Sequence, residues 1–179
     1  QAQDPQPLRV AVAANVQYAM QELEEAFEAQ SGLAVEAVIS SSGKLTAQIE
    51  QGAPYHLFLS ADLKYPRYLM EQEQAADQIY PYARGLLVCW TLDESLNLSL
   101  DPVFLKDSLP GRIAVAQPEL APYGLAARAY LRAFGLWDSL QHRLVFGESI
   151  AQVNQYVLSG AAPLGFTARS VVLAPDLES

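Results

Sequence analysis

Ser40-Ser41-Ser42-Gly43-Lys44-Leu45 lies between an apolar run, Ala34 to Ile39, and a helix-like run, Leu45 to Gln51, so it reads as strand, tight turn and helix. Three hydroxyls and a glycine at a helix start place side-chain donors beside backbone N–H groups that lack an intrahelical partner. Those groups also carry the positive end of the helix dipole. The stretch is an anion site in outline. Two readings stand side by side here: Ser42 as an N-cap with the other serines filling the turn, or Ser42 as a donor to a bound anion. A phosphate-binding P-loop is excluded, because it needs glycine where the chain has Val38 and serine or threonine where it has Leu45.

Upstream, Leu8 to Ala13 is short and apolar and reads as a buried strand ending at Ala14-Asn15. From Val16, apolar residues recur at Ala19, Met20, Leu23, Ala26 and Phe27, the spacing of an amphipathic helix, with Asn15 as its expected N-cap and Gly32 after its end. Leu33 to Ile39 is the second strand, and the helix opened by Ser42 stops near Gly52-Ala53-Pro54. Leu57 to Leu59 reads as a third strand, followed by Asp62 and a helix with Tyr65, Tyr68 and Leu69 on its apolar face. Strands and helices alternate as in a parallel α/β sheet, whose ligands gather outside the carboxyl ends of the strands. Asn15 and Ser42 both lie at such ends.

Around Tyr80-Pro81-Tyr82-Ala83-Arg84-Gly85 the alternation breaks, which places a hinge there and divides the chain into lobes at 1–84 and 85–179. In the second lobe Leu86 to Thr91, Ile113 to Ala116, Leu144 to Phe146 and Leu164 to Phe166 read as strands. Leu96 to Pro110 is an irregular connection with one short helix. The proline-containing stretch Gln117 to Gly124 runs into a helix with Tyr123 at its start, and Ser149 caps another that carries Ile150, Val153 and Val157 and ends at Gly160. Four helix starts, at Asn15, Ser42, Tyr123 and Ile150, could together hold an oxyanion without a cationic side chain. Such a ring offers donors and few acceptors, so it favours a fully deprotonated tetraoxyanion over hydrogen phosphate, whose proton would lack a partner.

Composition narrows the classes further. At 179 residues, 51% hydrophobic and 17% charged, the chain has enough apolar material for one domain or two small lobes. A formal charge of -9 with no basic block excludes nucleic acid and an anionic membrane as partners. The same charge repels anions at long range, so a bound anion has to be held by local dipoles. No apolar run is long enough to span a bilayer, and the polar Gln1 to Pro7 reads as a mature start or a leader linker. One cysteine, Cys89, and two histidines, His56 and His142, make neither an intrachain disulfide nor a metal cluster. Asp62 with His56 is the nearest approach to a catalytic pair; no nucleophile with a recognisable base accompanies the serines, so no catalytic residue is assigned.

Several motifs, in this order, resemble the periplasmic molybdate-binding proteins of ABC importers, the ModA type. They are Val12 to Asn15, Ser41 to Pro54, Leu59 to Asp62, Ala114 to Pro118 with Ala121 to Gly124, Gly135 to Asp138, and Ala162 to Phe166. The resemblance runs from Leu8 to about Ala174. It implies a two-lobed α/β periplasmic binding protein (type II) fold with the oxyanion in a cleft between lobes, and a periplasmic, non-enzymatic protein that delivers molybdate, and tungstate with it, to an ABC permease. No cofactor and no metal ligated directly by protein are implied, since the metal arrives as an oxyanion. By motif, the ligand contacts fall on Asn15, Ser42, Tyr123 and, through its backbone N–H, Ile150.

Four departures accompany the resemblance. Asparagine stands where serine is frequent, at Asn15. Ala168 stands where some members carry a tyrosine, which leaves Tyr123 as the expected phenol donor. His56 stands where the family usually has aspartate, and a surface or strand-start role is expected for it. Finally, members continue beyond the counterpart of Leu173 with a strand and helix that complete the first lobe, so this chain, which stops at Ser179, is expected to lack that completion and to expose apolar surface there. The alternatives are a receptor for another oxyanion such as sulfate, and a ligand-sensing domain, for which no DNA-binding segment is visible.

Overall fold

The computed structural model describes residues 6–76, 78–96, 98, 104–107 and 111–174. The readings of the first five residues, of most of the connection from Asn97 to Pro110, and of the end from Pro175 onward lie outside them. The chain divides into two compact units, Gln1–Arg84 and Gly85–Ser179.

The first unit is built on a three-stranded sheet in the order β2-β1-β3, all parallel, formed by β1 (Leu8–Ala13), β2 (Val35–Ser40) and β3 (Leu57–Leu59). Alternation along β1 sends Val10 and Val12 to one face, where they form a core with Val16 and with Met20 of α1 (Gln17–Ser31). The other face presents Ala11 and Ala13, small enough for α2 (Ser42–Glu50) to lie against the strand and to bury Leu45 completely. α3 (Lys64–Glu71) packs on α2. Gly32 ends α1 with φ 70°, the left-handed conformation glycine adopts at low cost.

Two caps differ from expectation. Asn15 does not cap α1: it lies within a 3-10 turn, Ala14–Val16, and α1 starts only at Gln17, with Val16 at its N-cap. The tighter turn already occupies the Gln17 N–H with the Ala14 carbonyl, so the cap moves on and the asparagine side chain is not used for capping. Ser42 is likewise not the cap of α2. Ser41 takes that position, its Oγ accepting from the Lys44 N–H at 3.4 Å, and Ser42 becomes the first helical residue.

His56 has the strand-start role. Its N–H donates to the Arg9 carbonyl at 2.9 Å and its Nδ1 accepts the Arg9 N–H at 3.0 Å, extending the β1–β3 pairing by one residue. Asp62 accepts from the Lys64 and Tyr65 N–H groups at 3.1 and 3.3 Å and so secures the start of α3. These bonds give each residue a backbone duty.

The second unit has a four-stranded sheet in the order β4-β7-β5-β6, from β4 (Leu87–Trp90), β5 (Ile113–Ala116), β6 (Leu144–Gly147) and β7 (Leu164–Ala168). β5, β6 and β7 are parallel and β4 runs antiparallel to β7, so the sheet is mixed. One face carries the main core, where Ile113, Val115, Leu164 and Phe166 meet Ala127 and Leu131 of α5 (Pro122–Ala133) and Trp137 and Leu140 of α6 (Trp137–Leu140). α7 (Ile150–Leu158) packs on β5, β6 and β7 through Val153 and Val157. A four-residue α4 (Phe104–Asp107) and α8 (Arg169–Val172) complete the described elements. Cys89 on β4 packs against the main core, and burial pushes its thiol up to about 12, which keeps it protonated and poorly nucleophilic at neutral pH.

Candidate functional site

Register sets the site in the first unit. Ala13 lies opposite Ser40, and Val12 opposite Leu59, so the turns that follow the three strands, at Asn15, at Ser41-Ser42 and at Ser60-Ala61, leave the sheet side by side. Ser42 is fully buried, and its Oγ accepts from the Ala61 N–H at 3.0 Å. That bond fixes the hydroxyl while its own hydrogen stays available as a donor. The neighbouring N–H groups at the start of α2 point the same way as its dipole. Thr46, one turn on, ties its hydroxyl to the Ser42 carbonyl at 2.8 Å.

Tyr82 belongs to this cluster. Its half-exposed ring places the hydroxyl 2.7 Å from the Ser60 carbonyl, to which it donates, and the phenol also hydrogen-bonds the Asn15 side chain. Burial of the hydroxyl raises its pKa, and the Asn15 bond offsets part of that rise. The sequence reading placed Tyr82 only in the hinge stretch and assigned no role to the Ala61 N–H.

In the second unit the pairing of Ala116 with Gly147 brings the turns after β5 and β6 together, and the Gln117 N–H donates to the Gly147 carbonyl at 2.7 Å. The starts of α5 and α7 follow from these turns. Tyr123 is the second residue of α5, behind Pro122, and is 8% exposed. Ile150 is the first residue of α7; Ser149 precedes it at the N-cap in an extended conformation, with no side-chain bond to the helix. Gly124 lets α5 begin hard against β5, since a Cβ there would overlap the Ala116 carbonyl oxygen. Ala168 ends β7 and is completely buried.

The structure thus brings Asn15 and Ser42 together in one unit, and Tyr123 and Ile150 onto neighbouring strand ends in the other. Hydroxyls, a carboxamide and helix-start N–H groups are, within each unit, the kinds of donor that can hold an anion. Among the described residues, no group of three or more His, Cys, Asp or Glu side chains could hold a metal ion. No helix among them is long and apolar enough to cross a membrane.

Comparison with known proteins places the chain in a family. Residues 8–178 match the family model for bacterial extracellular solute-binding proteins. The molybdate-binding protein ModA of Rhodobacter capsulatus is 36% identical over 167 residues, 93% of this chain and 66% of that protein. ModA of Azotobacter vinelandii is 37% identical over 166 residues, again 66% of its length. The chain therefore spans just under two thirds of these relatives. The solved Azotobacter vinelandii periplasmic molybdate-binding protein superimposes with a TM-score of 0.84 at 39% identity, covering 90% of this chain and 71% of that one. With a family match along nearly the whole chain and the α/β units of the two-lobed type II fold, the chain belongs to the bacterial extracellular solute-binding protein family, in its ModA group.

Proposed function

We propose that the chain captures molybdate, and tungstate with it, outside the cytoplasm for delivery to an ABC permease, as a binding protein without catalysis or cofactor. The observation that carries this reading is Ser42: a buried hydroxyl at a helix start, fixed by the Ala61 N–H, with Asn15 at the adjoining strand end. Donor groups of this kind stabilise a dianion by charge-assisted hydrogen bonds of about 1.5 to 3 kcal/mol each. Few acceptors accompany them, so a fully deprotonated tetraoxyanion is preferred to hydrogen phosphate. Tyr123 and the Ile150 N–H supply the second unit's share.

Because each unit owns only part of the donor set, molybdate should draw the two together about the connector near Tyr82 to Gly85. Small-angle scattering tests this. A smaller radius of gyration with saturating molybdate is expected, and identical dimensions with and without it contradict the reading.

A further inference from the structure

The boundary between the two units falls between Arg84 and Gly85, and a residue on each side of it touches a candidate donor of its own unit. Tyr82 bonds Asn15 and the Ser60 carbonyl in the first. In the second, the Tyr123 hydroxyl occupies the place where a side chain at Gly85 would begin, and Tyr123 Cζ stands 3.1 Å from that position. We infer that the connector positions the anion donors of both units, with the Tyr82 phenol orienting the Asn15 carboxamide and the bare Cα of Gly85 seating the Tyr123 phenol. This rests on the anion-binding reading above and adds to it two residues that make no contact with the anion themselves.

The hydrogen-bond inventory supports the first half. A phenol has one hydrogen, and Tyr82 gives it to the Ser60 carbonyl, so its bond with Asn15 requires the carboxamide to donate. That bond turns the nitrogen end of the amide toward Tyr82. An asparagine without such a partner has a broad, two-fold torsion about its last bond and presents oxygen or nitrogen almost indifferently. An oxygen turned toward a dianion repels it, so a residue that fixes the nitrogen end acts on affinity at a distance.

Sterics support the second half. Tyr123 follows Pro122 at the start of α5, which fixes the backbone from which the ring projects. The edge of the ring stands against Gly85, with the hydroxyl where a Cβ at that residue would lie. Any side chain at 85 would drive the phenol away from its position. Both contacts sit on the segment that must bend if the units close, so closure and donor geometry share the same residues.

Two double-mutant cycles read by molybdate calorimetry test the inference. Tyr82→Phe should weaken binding about fivefold to tenfold in the parent, and by less than about twofold in an Asn15→Ala background, because its effect passes through Asn15. Gly85→Ala should weaken binding by about tenfold in the parent and by clearly less in a Tyr123→Phe background, where the displaced hydroxyl is absent. Unfolding midpoints of the ligand-free single variants should stay within about 5 °C of the parent. In 15N spectra the Asn15 side-chain amide should shift on Tyr82→Phe.

Equal losses in both backgrounds, at either pair, overturn the inference, since a merely structural role would be additive. The two failures are distinguishable. A parent that binds no molybdate overturns the function and the inference with it; an additive cycle in a parent that binds overturns only the positioning role.

Discussion

Gly124→Ala should destabilise the second unit by about 2 kcal/mol or more, reversing the usual sign of a glycine-to-alanine change in a helix. Alanine is the better helix former by about 1 kcal/mol, so propensity alone predicts a gain. At this position the added Cβ would overlap the Ala116 carbonyl oxygen and lie 2.7 Å from the Ala116 carbonyl carbon and 3.0 Å from that of Gln117. All three obstacles are backbone. β5 cannot retreat, because it is paired with β6 on one side and β7 on the other. The start of α5 would have to move instead, taking Tyr123 with it, so molybdate affinity should fall as well. Urea unfolding of parent and variant measures the first effect; equal midpoints would show that α5 does not start as tightly on β5 as described.

Ser42→Ala and Ser41→Ala should behave differently although the residues are adjacent. Ser41 caps α2, and its loss should lower stability by about 1 kcal/mol with little change in molybdate affinity. Ser42 has two partners at stake. Alanine there strips the Ala61 N–H of its acceptor, at about 1 to 3 kcal/mol, and removes the hydroxyl proposed to donate to the anion. A lost bond to a charged group of about 1.5 to 3 kcal/mol corresponds to roughly tenfold to hundredfold weaker binding. Calorimetry and thermal unfolding on both variants separate the roles. A Ser41→Ala variant that lost affinity as severely as Ser42→Ala would reduce the serine turn to a cap that shapes the helix start.

Much of this site was legible because it follows from strand ends and helix starts. The apolar runs beginning at Leu8 and Leu33 and the serine turn predicted β1, β2 and α2, and parallel pairing then places Asn15 beside Ser42. What the sequence hid depends on single-residue geometry and on distance along the chain. Ser41 and Ser42 are equally good caps by type, and only the helix phase decides that Ser41 caps while Ser42 reaches Ala61, nineteen residues on. Asn15 has the composition of a cap, yet a 3-10 turn shifts α1 forward to Gln17. Tyr82 carries no local signal, because its partners Ser60 and Asn15 lie far upstream. The antiparallel direction of β4 was equally invisible, since an apolar run such as Leu86 to Trp90 buries its side chains in either direction.

The central claim is that a donor-rich site takes a fully deprotonated tetrahedral dianion and that its selectivity follows from having few acceptors. The most direct measurement is calorimetric titration of the chain with molybdate, tungstate, sulfate and phosphate at one pH and ionic strength. Saturable, one-to-one binding of molybdate and tungstate, with phosphate far weaker, is the predicted result. Phosphate binding as tight as molybdate, or no heat with any of the four anions, would contradict the account.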